Sequence, residues 1–169
     1  MPFFWYLIIF LILQRLIELV ISKRNEKWLL SQGAVEYGKE HYKFIVLLHA
    51  GFFISLIVEY VFTKGNFELH LINYVFLVIF IILQICRVII LSTLGRYWNT
   101  RIIRIPNTPL VAKGIYRYVK HPNYVLVICE IFVIPMIFDL YWTAIIFTVL
   151  NLVILNIRVK EENKALNYT

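Results

Sequence analysis

Five apolar runs divide this chain, and each is long enough, or in one case nearly long enough, to cross a membrane as a helix. The hydrocarbon core of a bilayer, roughly 30 Å thick, takes about 20 helical residues. Apolar residues make up 61% of the sequence and charged residues 16%, whereas soluble domains carry roughly one quarter charged residues. A soluble domain of 169 residues could not bury that much apolar surface. The sequence therefore predicts an all-α integral membrane protein with five transmembrane helices, at about residues 3–21, 44–62, 71–94, 124–138 and 141–157.

Positive charges cluster in some of the connections between these runs. Five lysines or arginines lie in the first connection and six in the third, and Arg158, Lys160 and Lys164 follow the last span. The second connection holds one, Lys64, and the fourth holds none. Because lysine and arginine concentrate on the cytoplasmic side of membranes, we predict an outside N-terminus and a cytoplasmic C-terminus. The same placement argues against a nucleic-acid partner, despite the formal net charge of +7.

The length of the chain predicts a single membrane domain over residues 1–169. We divide it into a two-span N-terminal part, residues 1–70, and a core, residues 71–169. Cys86 and Cys129 both lie inside apolar runs. They are therefore predicted to be small buried side chains rather than a disulfide or a zinc site, and no metal is expected.

Charged and amide side chains interrupt the apolar runs. In the first span Gln14 and Glu18 are four residues apart and Arg15 and Glu18 are three apart, so all three can meet on one helix face. Arg87, in the third span, is costly at that depth unless it pairs, reaches the interface or holds a ligand. Two interpretations of Arg87 stay open, a structural partner and a group that holds an anion. The sequence assigns no role to Glu130 in the fourth span.

Two polar segments, Gly114–Tyr124 and Arg158–Leu166, flank the last two spans. Those spans are joined by a short turn, so they form a helical hairpin that brings both segments to one cytoplasmic mouth. Carboxylates there can accept hydrogen bonds from hydroxyl or ammonium groups, and tyrosine rings suit a cation or an adenine face. The composition suits a nucleotide-like ligand, but charged residues at span ends can also be ordinary interfacial anchors.

The segment K-G-I-Y-R-Y-V-K-H-P-N-Y is followed by the intramembrane Glu130 and then, after the last span, by R-x-x-E-E-x-x-x-L. This arrangement resembles the isoprenylcysteine carboxyl methyltransferase family, which also includes membrane phospholipid methyltransferases, over about residues 84–166. The chain departs from the family pattern at Lys120, where arginine is usual, and at Leu126, where glycine is frequent. Lysine keeps the charge but loses the fork geometry of arginine.

The resemblance implies an O-methyltransferase that uses S-adenosylmethionine as methyl donor at the cytoplasmic mouth. The acceptor would be a lipophilic small molecule or a prenylated protein, methylated on a carboxylate or hydroxyl oxygen. Independently of the resemblance, the richness in isoleucine, lysine and asparagine is typical of an AT-rich genome and predicts a bacterial cell membrane, which favours the small molecule. Arg87 and Arg158 would hold an anionic acceptor as the catalytic residues. The cofactor-binding residues that the resemblance implies are Lys113, Gly114, Tyr116, His121, Tyr124, Glu161 and Glu162.

Two other functions remain open from the sequence. Membrane sterol reductases share a similar C-terminal hairpin and a string like H-P-x-Y, but they bind NADPH and generally have more spans. The paired acids Glu161 and Glu162 would also repel the extra phosphate of NADPH. A non-catalytic membrane scaffold is the second alternative, and it predicts that the polar residues of both segments tolerate neutral replacement.

Overall fold

The computed structural model describes residues 2–63 and 70–165, which are mostly helical. Five α-helices are joined by connections that include two short strands and two turns of 3₁₀-helix, at Gly95–Tyr97 and Gly114–Arg117. In chain order the elements are α1 (Pro2–Ser31), β1 (Val35–Tyr37), α2 (Lys39–Thr63), α3 (Leu71–Leu94), β2 (Ile102–Arg104), α4 (Pro122–Met136) and α5 (Tyr141–Ala165).

Four helices of the described chain are long and apolar enough to cross a membrane: α1, α2, α5, and α3 with the turn that follows it. The fifth, α4, is also apolar but has 15 residues, fewer than a perpendicular crossing takes. The prediction of a helical integral membrane protein is therefore confirmed. The exact number of five spans stays a prediction.

The helix α1 is longer than the sequence indicated. A polar connection was expected from Ser22 onward, but the helix continues without a break to Ser31. Asn25 in this extension is buried rather than free in water: its Nδ2 donates hydrogen bonds to the backbone carbonyls of Gly95, at 3.2 Å, and Trp98, at 2.7 Å. The extension therefore packs against the connection after α3, and this contact holds that connection beside the bundle.

The two strands are an addition to the predicted all-α class. They form an antiparallel pair in which Val35 lies opposite Arg104 and Tyr37 opposite Ile102. Gly38 follows the first strand with a φ of +60°, a conformation that glycine adopts without steric cost. A Cβ atom at Gly38 would lie 3.6 Å from the Cβ of Glu161, so this small sheet sits directly against the C-terminal part of α5.

The hairpin of α4 and α5 is present as predicted, with Asp139 in its connecting turn at a φ of +54°. The N-terminus of α5 is capped from another helix. The carboxylate of Glu59 accepts hydrogen bonds from the backbone N–H groups of Trp142, at 3.1 Å, and Thr143, at 2.7 Å. It also accepts one from the Thr143 hydroxyl, at 2.6 Å. A negative charge at a helix N-terminus is favourable, so this contact ties α2 to α5.

An aromatic cluster closes this end of the bundle. The ring of Phe4 stacks on Tyr60, with 3.6 Å between centroids, and meets Phe138 edge-on at 5.0 Å. All three rings are buried. They belong to the first turn of α1, the last part of α2 and the hairpin turn, so they fix these three segments together. The opposite end of the bundle contains Ser22, Thr100, Tyr124, Arg158 and Glu162, and we call it the polar end.

Candidate functional site

A buried network of charges joins α1, α3 and α4 inside the bundle. Arg87 is 3% exposed, and its guanidinium donates hydrogen bonds to Glu18, at 2.8 Å, and to both carboxylate oxygens of Glu130, one of them at 2.9 Å. Arg15 also pairs with Glu18, at 2.9 Å. The two arginines and two glutamates balance in charge, which offsets much of the cost of burying ions in a membrane.

Two amides extend this network. Gln14 donates to Gln84 at 2.8 Å, and Gln84 donates to Glu130 at 3.0 Å. Gln14, Arg15 and Glu18 therefore do share one face of α1, and that face looks into the bundle. Arg87 has the carboxylate partners that a structural role requires. Its predicted second role, holding an anionic acceptor, stays a prediction.

The polar end holds a chain of hydrogen bonds between α4 and α5. Arg158 Nε donates to the hydroxyl oxygen of Tyr124 at 2.8 Å, and the Tyr124 hydroxyl donates in turn to Glu162. Arg158 Nη2 also donates to the backbone carbonyl of Thr100, at 2.5 Å. Arg158 is 9% exposed, so its position is fixed by partners from two separate segments.

His121 extends this chain toward the end of α5. Its Nε2 donates to Asn163 Oδ1 at 2.8 Å, and its Nδ1 lies 3.5 Å from a carboxylate oxygen of Glu162. Its ring stacks on that of Tyr124, with 5.4 Å between centroids. The hydrogen bond to Glu162, assisted by the one to Asn163, raises the pKa of His121 above its ordinary value. Nearby, burial and then the Glu162 charge raise the pKa of Tyr116.

Two cavities meet at this end of the bundle. The polar cavity, about 70 Å³, is lined by residues that include Tyr116, His121 and Glu162. The apolar cavity, about 410 Å³, lies between the helices and is lined mostly by apolar side chains. Five residues line both cavities and form the shared wall: Trp98, Asn99, Asn123, Tyr124 and Arg158.

The shared wall contains polar atoms that have no hydrogen-bond partner in the described part of the chain. Asn123 Oδ1 and Trp98 Nε1 are buried, and neither finds a hydrogen-bond partner among residues 2–63 and 70–165. An unpaired buried donor or acceptor costs about 1–3 kcal/mol. The wall is therefore equipped to exchange hydrogen bonds with something in the cavities.

The structure brings together five of the predicted site residues: Tyr116, His121, Tyr124, Arg158 and Glu162 all line the polar cavity. The others lie elsewhere. Lys113 is exposed, and Gly114 follows it with a φ of +53°, where an added Cβ atom would lie 3.4 Å from the Thr93 hydroxyl oxygen. Glu161 forms an exposed ion pair with Lys164 at 2.8 Å. Arg87 lines the apolar cavity instead. The assigned roles stay predictions.

Sequence reasoning did not predict which residues of the N-terminal half hold the site in place. The hydroxyl groups of Ser22 and Tyr42 lie 2.8 Å and 3.3 Å from the Thr100 hydroxyl, and thus hold the loop that contacts Arg158. Asn123 was also missed, although it lies within the quoted H-P-N-Y string. Ser22 and Thr100 are 78 residues apart in sequence, so no local pattern could have paired them.

Comparison with known proteins identifies one matching family and two similar bacterial proteins. Residues 75–168 match the family described as the "Isoprenylcysteine carboxyl methyltransferase (ICMT) family". The uncharacterized protein YpbQ of Bacillus subtilis is 40% identical over 163 residues, which cover 96% of each chain. An uncharacterized protein of Haemophilus influenzae is 28% identical over 155 residues, covering 91% of this chain and 89% of its own. No solved structure gives a significant match.

Proposed function

Because this chain belongs to the isoprenylcysteine carboxyl methyltransferase family, we propose that it methylates a lipophilic acceptor inside the membrane, with S-adenosylmethionine as the methyl donor. The donor would bind in the polar cavity and the acceptor in the apolar cavity. The methyl group would pass to a carboxylate or hydroxyl oxygen of the acceptor at the shared wall.

The meeting of the two cavities is the observation that carries this proposal. One cavity has charged and aromatic groups, and the other is mostly apolar, yet both are bounded by Asn123, Tyr124 and Arg158. A group-transfer enzyme must hold a water-soluble donor and a lipid-soluble acceptor with their reacting atoms about 3 Å apart. A wall common to both cavities supports that arrangement.

The residues of the polar cavity fit the proposed donor, which supplies an electrophilic methyl group on a cationic sulfur. The Glu162 carboxylate and the unpaired Asn123 Oδ1 can accept hydrogen bonds from ammonium or hydroxyl groups. The rings of Tyr116 and Tyr124 suit a neighbouring cation. Ligand sites of this kind usually measure roughly 300–1,000 Å³. The polar cavity, at about 70 Å³, can thus enclose only part of the donor.

The apolar cavity fits the acceptor in size, since its volume of about 410 Å³ lies within that range. Arg158 is the cation among the five residues of the shared wall, and it can orient an anionic oxygen. A carboxylate acceptor is already ionised near pH 7 and needs no general base. A hydroxyl acceptor would need one, and His121 or Glu162 is the closest candidate.

We further propose five spans, an outside N-terminus and the polar cavity on the cytoplasmic side, in one domain built from a two-span part (1–70) and a core (71–169). The distribution of lysine and arginine among the connections supports this orientation. A water-soluble donor would then enter from the cytosol, and the acceptor would enter from the bilayer. The relatives come from bacteria, which supports a bacterial cell membrane.

The first test is donor binding by a variant at the polar cavity. Glu162→Gln keeps the size of the side chain but removes its negative charge. In the wild type that carboxylate accepts a hydrogen bond from the Tyr124 hydroxyl and faces His121. We expect calorimetry in detergent to give at least a tenfold weaker affinity for S-adenosylmethionine, since hydrogen bonds to charged groups contribute about 1.5–3 kcal/mol. Glu161→Gln tests the second predicted acid in the same assay.

Glu40→Gln is the matched control, because it removes one exposed carboxylate at the start of α2. Its affinity should equal that of the wild type. Unchanged donor binding by the Glu162 variant, or binding of NADPH in preference to S-adenosylmethionine, would contradict the proposal. Membranes containing the wild-type protein should also transfer a radiolabelled methyl group to a product that extracts with the lipids.

A further inference from the structure

The apolar cavity contains a second layer of polar groups, deeper in the bundle than the shared wall. Ser22 on α1, Tyr42 on α2 and Arg158 on α5 all contact Thr100, so they define one level at the polar end. Seven residues away from that level, Arg15, His49 and Asn151 also line the apolar cavity. Seven residues are nearly two helical turns and rise about 10 Å, so each helix presents the same face again.

Asn151 is the clearest sign that this deep layer meets a ligand. Its side chain is 2% exposed and lines the apolar cavity. Its Nδ2 is buried and finds no hydrogen-bond partner among the residues that the structure describes. A buried amide donor without an acceptor is destabilising and is uncommon in native proteins. An oxygen atom of a bound molecule would satisfy it.

His49 contributes the opposite hydrogen-bonding character. Its Nδ1 lies 2.8 Å from the backbone carbonyl of Ile45, which can only accept, so Nδ1 carries the proton. In the neutral ring Nε2 is then an acceptor, and among residues 2–63 and 70–165 no hydrogen bond to it is found. Arg15 adds further donors, since its bonds to Glu18 and Glu130 use only part of its guanidinium.

We propose that Arg15, His49 and Asn151 form a deep subsite that binds a hydroxyl group on the chain of the acceptor. The inference rests on the proposed function, because it names the class of acceptor. A hydroxyl both accepts and donates, so it can use the Asn151 and Arg15 donors together with His49 Nε2. A neutral group suits the layer because the charges of its arginines and glutamates already cancel.

The spacing sets where that hydroxyl lies on the acceptor. The layers are about 10 Å apart, which corresponds to roughly eight methylene groups of an extended chain between the methylated oxygen and the hydroxyl. The proposed acceptor is therefore a single-chain lipid with an oxygen function near the middle of its chain. A plain alkyl chain would leave the Asn151 amide without a partner.

Equilibrium binding to purified protein in lipid nanodiscs tests this, with empty nanodiscs subtracted. The probes are radiolabelled stearic acid, stearic acid with a mid-chain hydroxyl, and stearic acid with a hydroxyl on its last carbon. We expect the mid-chain hydroxyl to bind about fivefold to tenfold more tightly than the other two, the effect of one or two net hydrogen bonds. Equal affinities for all three acids in the wild type would overturn the proposal.

Asn151→Leu is the diagnostic variant, and Ile154→Leu, which reshapes the same cavity without removing a polar group, is its control. Asn151→Leu should bind all three acids with about equal affinity. Ile154→Leu should keep the wild-type preference for the mid-chain hydroxyl. A preference that survives in Asn151→Leu would refute the role of Asn151.

Thermal unfolding without added lipid gives a readout that does not depend on the probes. If Asn151 is held ready for a ligand, Asn151→Leu removes an unsatisfied group and its melting temperature should equal or exceed that of the wild type. A lower melting temperature would mean that Asn151 serves the fold, and the deep subsite would be rejected. All these readouts are independent of methyl transfer, so failure of S-adenosylmethionine binding leaves the result on the subsite intact.

Discussion

Replacing Arg87 with methionine breaks hydrogen bonds to two buried carboxylates at once. Glu18 and Glu130 would then share Arg15, whose contact to Glu130 is the longer one, at 3.4 Å. One negative charge would remain without compensation in a site where the carboxylates are 2–6% exposed. Removing one partner of a buried ion pair costs about 3–5 kcal/mol, so we expect Arg87→Met to lose that much folding free energy.

The double variant Arg87→Met/Glu130→Gln should recover most of this loss. It removes one charge of each sign, leaves the Arg15–Glu18 pair intact and keeps an amide at position 130 for Gln84. Exchanging a buried ion pair for neutral groups is often close to neutral in stability. Because Glu130→Gln alone also breaks the buried pair, a double-mutant cycle should give a coupling free energy of at least about 3 kcal/mol between Arg87 and Glu130.

Denaturant or thermal unfolding of the four proteins in one detergent measures this cycle. Losses that simply add, with a coupling near zero, would refute the reasoning that these charges compensate each other. Methyl transfer by the double variant then decides between the two interpretations of Arg87. A purely structural arginine predicts that activity returns with stability, whereas an arginine that holds the acceptor predicts that stability returns without activity.

Two further predictions concern the ends of the bundle. The folded state raises the pKa of His121 above 6.5, so protonated His121 adds stability that is fully present below 6.5 and is lost as the pH rises through the raised value. As the pH rises from 6.5 through the raised pKa of His121, the wild type should therefore lose stability relative to His121→Gln. Parallel pH profiles of the melting temperature for the two proteins would contradict this. Glu59→Gln weakens the cap on α5 and should cost about 1–2 kcal/mol of folding free energy. Chemical unfolding measures this loss, and a stability equal to that of the wild type would show that the cap contributes nothing.

The sequence predicted those parts of the fold that depend on local pattern. The bounds of α3 are the predicted ones, because no glycine or proline lies within it and Gly95 follows it directly. The predicted first span is shorter than the helix α1, because a cluster of charged residues begins just after Ser22. Charged residues can end the membrane-spanning part of a helix without ending the helix itself. Residues 22–31 contain neither glycine nor proline, so the helix continues through them.

The site was predictable only in its C-terminal half. Tyr124, His121 and Glu162 belong to segments that flank one hairpin, so their meeting follows from the topology of α4 and α5. The partners of Arg87 did not follow in the same way. Glu18 and Glu130 are 69 and 43 residues away from it, and only three-dimensional packing brings them together. The two cavities and their shared wall depend on such packing as well.

The members of the charged network are synthesised in a fixed order, and this order determines when the buried charges become balanced during membrane insertion. Arg15 and Glu18 emerge together on α1 and neutralise each other at once, since they lie three residues apart. Arg87 arrives later and brings one excess positive charge into the membrane, which is costly there. Glu130 lies on α4 and is the last member to be synthesised. A nascent chain that stops after α3 therefore retains this excess charge, and arrival of α4 completes the electrical balance of the bundle.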